Sequence, residues 1–275
     1  LAPTPSGFLH LGNAYNFILN WLAARHASRA RLLLRIDDLD AERKRPEFLQ
    51  DVFDTLHWLG LDWDEGPRSL EDFESNWSQR LRMPLYENML NHLRQEGHVF
   101  ACTKSRRDLA PFQGDYPPEF REQHLSLDAL DVAWRIKTPI PRVPGFPPDF
   151  VVRRRDGIPA YQVASLADDL HFGVTHAIRG ADLAESTEAQ RFLAECLGRR
   201  EFFQINFLHH PLLLDPNGDK MSKSAGAAAL KTWREQGQPP SEVFRSLAHW
   251  LGVKELRTAQ ELLHEIEFSS LNRNL

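Results

Sequence analysis

The sequence predicts an α/β protein: a Rossmann-like parallel sheet with an inserted subdomain and a short helical C-terminal stem. Three observations lead there. First, an extended start from Leu1 to Pro5 runs through a glycine turn, Gly7 to Gly12, into an amphipathic helix at Ala14 to His26 and then a short apolar run, Arg31 to Ile36. Strand, turn, helix and strand make a βαβ unit, and the strands of such a unit lie parallel. Second, prolines crowd 111–118 and 139–148 with only short β-like pieces between them, such as Ala133 to Lys137, which reads as an insertion. Third, the chain after Ala225 is mostly helical in pattern, over Ser241 to Leu251 and Thr258 to Ile266.

The remaining elements follow from the same signals. Prolines at alternate positions keep Leu1 to Pro5 out of helix. Phe17, Ile18, Trp21 and Leu22 recur at helical spacing. Pro46 to Leu59 reads as a second helix closed by Gly60, and Trp77 to Gln95 as a third closed by Gly97. Phe150 to Arg154, Val174 to Arg179, Phe202 to Leu208 and Leu212 to Asp215 read as strands, and Tyr161 to Ala167 and Leu183 to Leu197 as helices. The expected organisation is a Rossmann-like catalytic domain over 1–64 and 149–224, an inserted subdomain over 65–148 and a stem over 225–275.

Composition narrows the class. The chain has 275 residues, of which 42% are hydrophobic and 26% charged, so a folded globular protein is expected. No apolar run approaches the roughly 20 residues of a membrane span, and no signal peptide is visible. Two distant cysteines, Cys102 and Cys196, make no disulfide framework and fit a reducing cytoplasm. A net charge of -5 excludes a globally basic nucleic-acid binder. Any such contact would use local patches, Arg153-Arg154-Arg155 or Lys104 with Arg106-Arg107, and either patch reads equally as a solvated surface.

Two short stretches carry the chemistry. Near the start stands Pro3-Thr4-Pro5-Ser6-Gly7-Phe8-Leu9-His10-Leu11-Gly12-Asn13, and near the end Lys220-Met221-Ser222-Lys223-Ser224. The first places His10 and Gly12 at a helix start, where unpaired N–H groups and the positive end of the dipole face the carboxyl ends of the strands. Gly12 allows close approach to the backbone. The second puts two lysines on a polar loop after the turn signal Asp215-Pro216-Asn217-Gly218. Together they form a cradle for a nucleoside triphosphate whose α-phosphate and leaving pyrophosphate gain charge during reaction. Either stretch alone also reads as an ordinary cap or basic loop.

At these motifs the chain resembles the class I aminoacyl-tRNA synthetases, with His10-Leu11-Gly12-Asn13 in place of the HIGH motif and a literal KMSKS. Ala2 to Gly7 and Arg35-Ile36-Asp37-Asp38-Leu39-Asp40 resemble the glutamyl branch. Pro159 to Ala164, Asp168-Asp169, Gly173 to His176 and Arg179 to Leu183 most resemble the glutamyl-Q tRNA(Asp) synthetase subgroup, shortened enzymes that attach glutamate to queuosine. Only about fifty residues follow the lysine motif, so no anticodon-binding domain is expected.

The resemblance implies that His10, Gly12, Lys220 and Lys223 handle ATP, with adenine near Leu212 and Leu213. It makes His10, Lys220 and Lys223 the catalytic groups. It implies an amino-acid pocket lined by Ala2 and Thr4, walled by Tyr161, with Asp37 on the ammonium and Arg179 on a carboxylate through its planar fork. Read without the resemblance, Arg179 is equally a structural ion-pair partner and Tyr161 a core aromatic. Its implied partners are glutamate, ATP with Mg²⁺ and tRNA, with tRNA(Asp) bearing queuosine as acceptor; a cytoplasmic monomer without membrane contact is expected. The reaction would run by attack of the glutamate carboxylate on the α-phosphate, then transfer to a tRNA hydroxyl. The alternatives are a truncated conventional glutamyl- or glutaminyl-tRNA synthetase and a catalytically silent tRNA- or protein-binding paralogue.

Three departures from the family pattern bear on this. Asp37 stands where glutamyl enzymes carry Glu, as in glutaminyl enzymes. The family's arginine two positions before Ala2 would lie upstream of Leu1. The positions matching the structural zinc ligands of many members read Phe100, Cys102, Tyr116 and Phe120. One thiol and one phenol do not close a four-ligand zinc site, so no zinc is expected. Metal analysis of the purified protein should find far less than one zinc per chain; tightly held stoichiometric zinc would contradict this.

Overall fold

In the computed structural model, which describes residues 1–40, 44–112, 116–139, 147–213 and 229–265, the first paired segments are parallel, as the βαβ pattern predicts. The Leu1 nitrogen donates to the Leu33 carbonyl (2.6 Å), and the Arg35 and Asp37 N–H groups donate to the carbonyls of Leu1 (2.8 Å) and Pro3 (2.9 Å). On the other side Asp64 N–H bonds Leu32 (2.9 Å) and Leu34 N–H bonds Glu65 (2.8 Å), forming a parallel bridge at Leu33 and Glu65. Pro3 has no N–H to return a bond, so this edge pairs by alternate groups only. Gly66 is required where the chain leaves the ladder: its φ is +115°, and a Cβ there would meet the Leu34 carbonyl oxygen at 2.1 Å.

The chain divides into two compact units. The first comprises Leu1–Leu81, Ala177–Asp182 and Leu208–Leu275. Its core surrounds the buried run Leu32, Leu34 and Ile36. Helix α1 (Leu11–His26) contributes Ala14, Tyr15, Phe17, Ile18, Leu19, Trp21 and Leu22, which cover most of its circumference, so it is enclosed rather than laid on one face. Helix α2 (Pro46–Trp58) opens with proline at N1 and Glu47 in its first turn, and ends before Gly60 at φ +69°.

The second unit comprises Arg82–His176 and Leu183–Phe207. It holds α3 (Met83–Gln95) and an antiparallel sheet in the order β1 (Val99–Cys102), β2 (Ala133–Ile136), β3 (Val151–Arg153). Val99 pairs with Ile136 and Cys102 with Ala133. Then come α4 (Tyr161–His171) and α5 (Ala184–Cys196). Within this unit Asp168 of α4 is fully buried and receives both Arg82 Nε (2.8 Å) and Nη2 (2.9 Å), with the Tyr86 hydroxyl donating at 2.8 Å. Burial and the Asp168 charge push the Tyr86 phenol well above its usual range, so it stays a donor. Strand β4 (His176–Gly180) pairs with β5 (Asn206–His210), and the first unit also holds α6 (Leu230–Glu235), α7 (Ser241–Leu251) and α8 (Ala259–Glu265).

The structure corrects several boundaries. The helix predicted over Trp77 to Gln95 is broken: Phe73–Trp77 is a π-turn, Gln79–Arg82 a 3₁₀ turn, and α3 starts only at Met83. The cause is Asp38, which accepts the Ser78 hydroxyl (2.7 Å) and the Gln79 N–H (2.8 Å) and pulls Ser78 to extended geometry (φ -57°, ψ 137°). The strand predicted from Phe202 begins at Asn206, because Arg200–Gln204 forms a 3₁₀ turn that buries Phe202 completely. Leu212 and Leu213 lie in no strand, and the rest of that predicted strand is outside the described residues.

Asp38 also takes Lys44 Nζ at 3.0 Å, and its side chain is fully buried. Asp38→Ala strands these donors, and it should lower unfolding stability by about 3–5 kcal/mol in urea titrations; a loss below about 1 kcal/mol would contradict this role.

Candidate functional site

His10 is the N-cap of α1. Its backbone is extended (φ -123°, ψ 176°), so its ring folds back over the first turn and Nδ1 accepts the Gly12 N–H at 3.1 Å. The Asn13 side chain closes the cap by accepting the His10 N–H at 3.0 Å. With Nδ1 an acceptor, the neutral ring carries its proton on Nε2. Gly12 has a reason beyond ligand approach: a Cβ would sit 3.0–3.1 Å from the His10 ring. A side chain at this position would press on the imidazole, which would have to give by about a few tenths of an ångström.

The segment before His10 is held from two helices. The Leu9 N–H donates to Asp51 Oδ2 of α2 (2.7 Å), and the Leu9 carbonyl accepts the Leu230 N–H at the start of α6 (2.9 Å). The other Asp51 oxygen takes Arg234 Nη2 (2.6 Å). Phe8 packs edge-on against Phe48 of α2 (4.9 Å between centroids), and Lys231 Nζ of α6 lies 4.4 Å above its ring.

The parallel ladder sets Ala2 and Thr4 beside Asp37. Both side chains are exposed, on alternate residues of one edge, and the Asp37 N–H is bonded to Pro3 between them. Asp37 is 5% exposed, and Arg35 grips it through Nε (2.7 Å) and Nη2 (3.1 Å). Its charge is therefore stabilised before any ligand arrives.

Arg179, 8% exposed, follows Ile178 on β4, and α1 holds Ile178 by its backbone. Asn16 and Asn20 each donate to the Ile178 carbonyl at 3.0 Å, and Asn20 Oδ1 accepts its N–H at 3.4 Å. Asn16 Nδ2 also lies 3.3 Å from His210 Nε2, while His210 Nδ1 donates to the Pro211 carbonyl at 2.8 Å. Leu212 is half-buried near Gly180, where a Cβ would approach its Cδ2 at 3.2 Å.

Tyr161 is the first residue of α4, in the second unit, and is 39% exposed, so it is no core aromatic. Lys220 and Lys223 lie outside the described residues. In the second unit the four zinc-matching positions do come together. Cys102 Sγ lies 3.0 Å from the Tyr116 hydroxyl and accepts the Lys104 N–H at 3.3 Å. Phe100 and Phe120 pack on Tyr116 at 5.5 and 5.7 Å. Burial pushes the Tyr116 phenol far above its usual range. These residues do not fit a zinc ion: two rings stand where ligands would be, and the thiol is already hydrogen-bonded. Among the described residues, no group of three or more His, Cys, Asp or Glu side chains gathers as a metal site.

The basic patch Arg153-Arg154-Arg155 also has partners within the second unit. Arg154 pairs with Asp156 (2.7 Å), Arg155 with Asp131 and the Thr103 carbonyl, and Arg153 stacks on Trp134 (5.0 Å to the ring centre). Among the described residues, no helix is long and apolar enough to cross a membrane.

A sequence profile described as "tRNA synthetases class I (E and Q), catalytic domain" matches residues 1–117 and 131–274. The chain belongs to this family. It is 39% identical to a Synechococcus sp. (strain CC9605) protein named Glutamyl-Q tRNA(Asp) synthetase, covering 98% of this chain and 89% of that one. It is 35% identical to the Pseudomonas aeruginosa protein of the same name, with 94% of each chain covered. Among solved structures, the glutamate-tRNA synthetase from Elizabethkingia anophelis superposes with a TM-score of 0.76 at 22% identity. That match covers 98% of this chain and 65% of that one, so the chain spans less than two thirds of the solved enzyme. The class I synthetase fold expected from the motifs is thus the fold observed.

Sequence reasoning within this synthetase family missed Asp51, Arg234, Asn16, Asn20 and His210. A signal existed for Asp51: Phe48 three residues before it and Thr55 four after it lie on the same face of the expected helix. Burial holds the His210 imidazole below its ordinary value of 6.5, against a smaller upward pull from its bond to Pro211. The unfolded chain therefore takes up the proton first, and stability falls once pH drops below 6.5. Thermal unfolding between pH 7.5 and 5 should show this decline, and His210→Gln should flatten it; an unchanged slope would contradict it.

Proposed function

We propose that this chain activates glutamate with ATP and transfers it to queuosine of tRNA(Asp). The observation that carries this reading is the 39% identity, over nearly the whole chain, to a protein of that name. The geometry at His10 supports the adenylate step. Its capped ring offers Nε2–H as a donor, and the helix start adds N–H groups and the positive dipole end.

In the first step the glutamate α-carboxylate attacks the α-phosphate and pyrophosphate leaves. His10 and the backbone at Gly12 would meet the phosphates, Lys220 and Lys223 would neutralise the departing charge, and Leu212 and Leu213 would flank adenine. Asp37 would hold the substrate ammonium, Arg179 a carboxylate, Ala2 and Thr4 the pocket floor, and Tyr161 its wall. Mg²⁺ would enter on the triphosphate, where it neutralises charge. In the second step a queuosine hydroxyl attacks the adenylate carbonyl and AMP leaves. Positioning and charge stabilisation suffice, without a covalent nucleophile. Domains over 1–64 with 149–224, 65–148 and 225–275 would hold the active centre, the tRNA and the stem respectively. The zinc-matching cluster would be metal-free, stabilised by apolar packing.

ATP–pyrophosphate exchange tests the first step. Exchange should proceed with glutamate in the absence of tRNA, and not with glutamine. A strict requirement for tRNA, or a preference for glutamine, would overturn the reading. His10→Ala should lower the exchange kcat by about 100-fold by removing the Nε2–H donor, and retention of wild-type kcat would remove His10 from its proposed role.

A further inference from the structure

Leu9 is the last residue before His10, and both of its backbone groups are spoken for. The N–H goes to Asp51 on α2 and the carbonyl to Leu230 on α6. Asp51 is 1% exposed at its side chain, so its carboxylate needs a cation and well-placed donors to stay charged. Arg234 on α6 supplies the cation at 2.6 Å from Oδ1, and its second nitrogen donates to Thr55 Oγ1 at 2.5 Å, one helical turn beyond Asp51. The guanidinium fork is thereby fixed in plane by two residues of α2.

The consequence is a closed circuit. Helix α6 bonds Leu9 directly through Leu230 and indirectly through Arg234 and Asp51. Helix α6 begins seven residues after Lys223 (230 against 223). The chain following the lysine motif is thus tied to the residue that precedes the histidine motif. Phe8, with Phe48 on one side and Lys231 on the other, repeats the same link one residue earlier.

We infer that Asp51 and Arg234 are positioning residues for adenylate formation: they set the place of His10 by locking Leu9 between α2 and α6. The inference rests on the proposed role of His10. Neither residue touches substrate. Their loss should therefore act on the reaction step and leave amino-acid binding alone, because the ladder carrying Thr4 and Asp37 is held by separate bonds.

The test uses the full chain with Asp51→Asn, Arg234→Met and Arg234→Lys, assayed by ATP–pyrophosphate exchange well below each variant's Tm. Active sites are counted by the burst of adenylate, so that an unfolded fraction does not register as lost kcat. Asp51→Asn and Arg234→Met should lose about 10- to 100-fold in kcat per active site, with KM for glutamate within about twofold. Arg234→Lys keeps the charge but cannot hold Asp51 and Thr55 with one planar fork, and its loss in kcat should be smaller than that of Arg234→Met. An unchanged kcat in Arg234→Met, or a rise in KM for glutamate that matches the fall in kcat, would overturn the inference. A second readout is independent of the reaction. The NMR signals of the Leu9 amide and His10 ring should shift in Arg234→Met and shift less in Arg234→Lys. Unshifted signals in Arg234→Met would overturn the inference even if the wild-type chain failed to activate glutamate, a failure that would count against the proposed function instead.

Discussion

Asp51 sits inside the first unit's core with one oxygen on the Leu9 N–H and the other on the Arg234 guanidinium. Placing a carboxylate there is costly unless a cation and donors meet it. That cost makes the arrangement specific. Helix α2, helix α6 and the turn before α1 each supply one partner, and a shift of any one leaves a buried charge or an N–H unmet. The capped histidine at the head of α1 inherits its place from this set.

The same device recurs at three other buried carboxylates, Asp37, Asp38 and Asp168. Asp37 and Asp38 end the central extended segment, and both are buried. Arg35 satisfies the first through two nitrogens, Lys44 and Ser78 the second. Asp38 does more than pair: it takes backbone and hydroxyl donors from Ser78 and Gln79 and so ends the π-turn there. In the second unit Asp168 gathers Arg82 and Tyr86 by the same logic. Apolar packing sets the volume of each unit, and these carboxylates set the direction of the segments leaving it.

This division explains what could be read from the sequence. Helices α2 and α7 have strong apolar periodicity, helices α1, α2 and α7 have clear ends at His10, Pro46 and Gly252, and the expected bounds of all three lie within three residues of those observed. The parallel start was readable from Leu32-Leu33-Leu34 between charges and the glycine turn after Pro5. The break at Ser78 was not, because its cause, Asp38, is forty residues away (78 against 38). The strand starting at Asn206 was misplaced by Phe202, whose aromatic character suits a strand while its buried position is a 3₁₀ turn. At the site, residues within motifs were visible from type and spacing alone. Arg234 was not, since it reads as a surface charge until the helices are packed together, and Asp51 had only its place on the Phe48 and Thr55 face to mark it.

Transfer of labelled glutamate to purified tRNA reads the choice of acceptor and the formation of the adenylate together. Queuosine-containing tRNA(Asp) should take up label, while queuosine-free tRNA(Asp) and tRNA(Glu) should not. Equal labelling of queuosine-free tRNA(Asp), or labelling of tRNA(Glu), would contradict the proposed function.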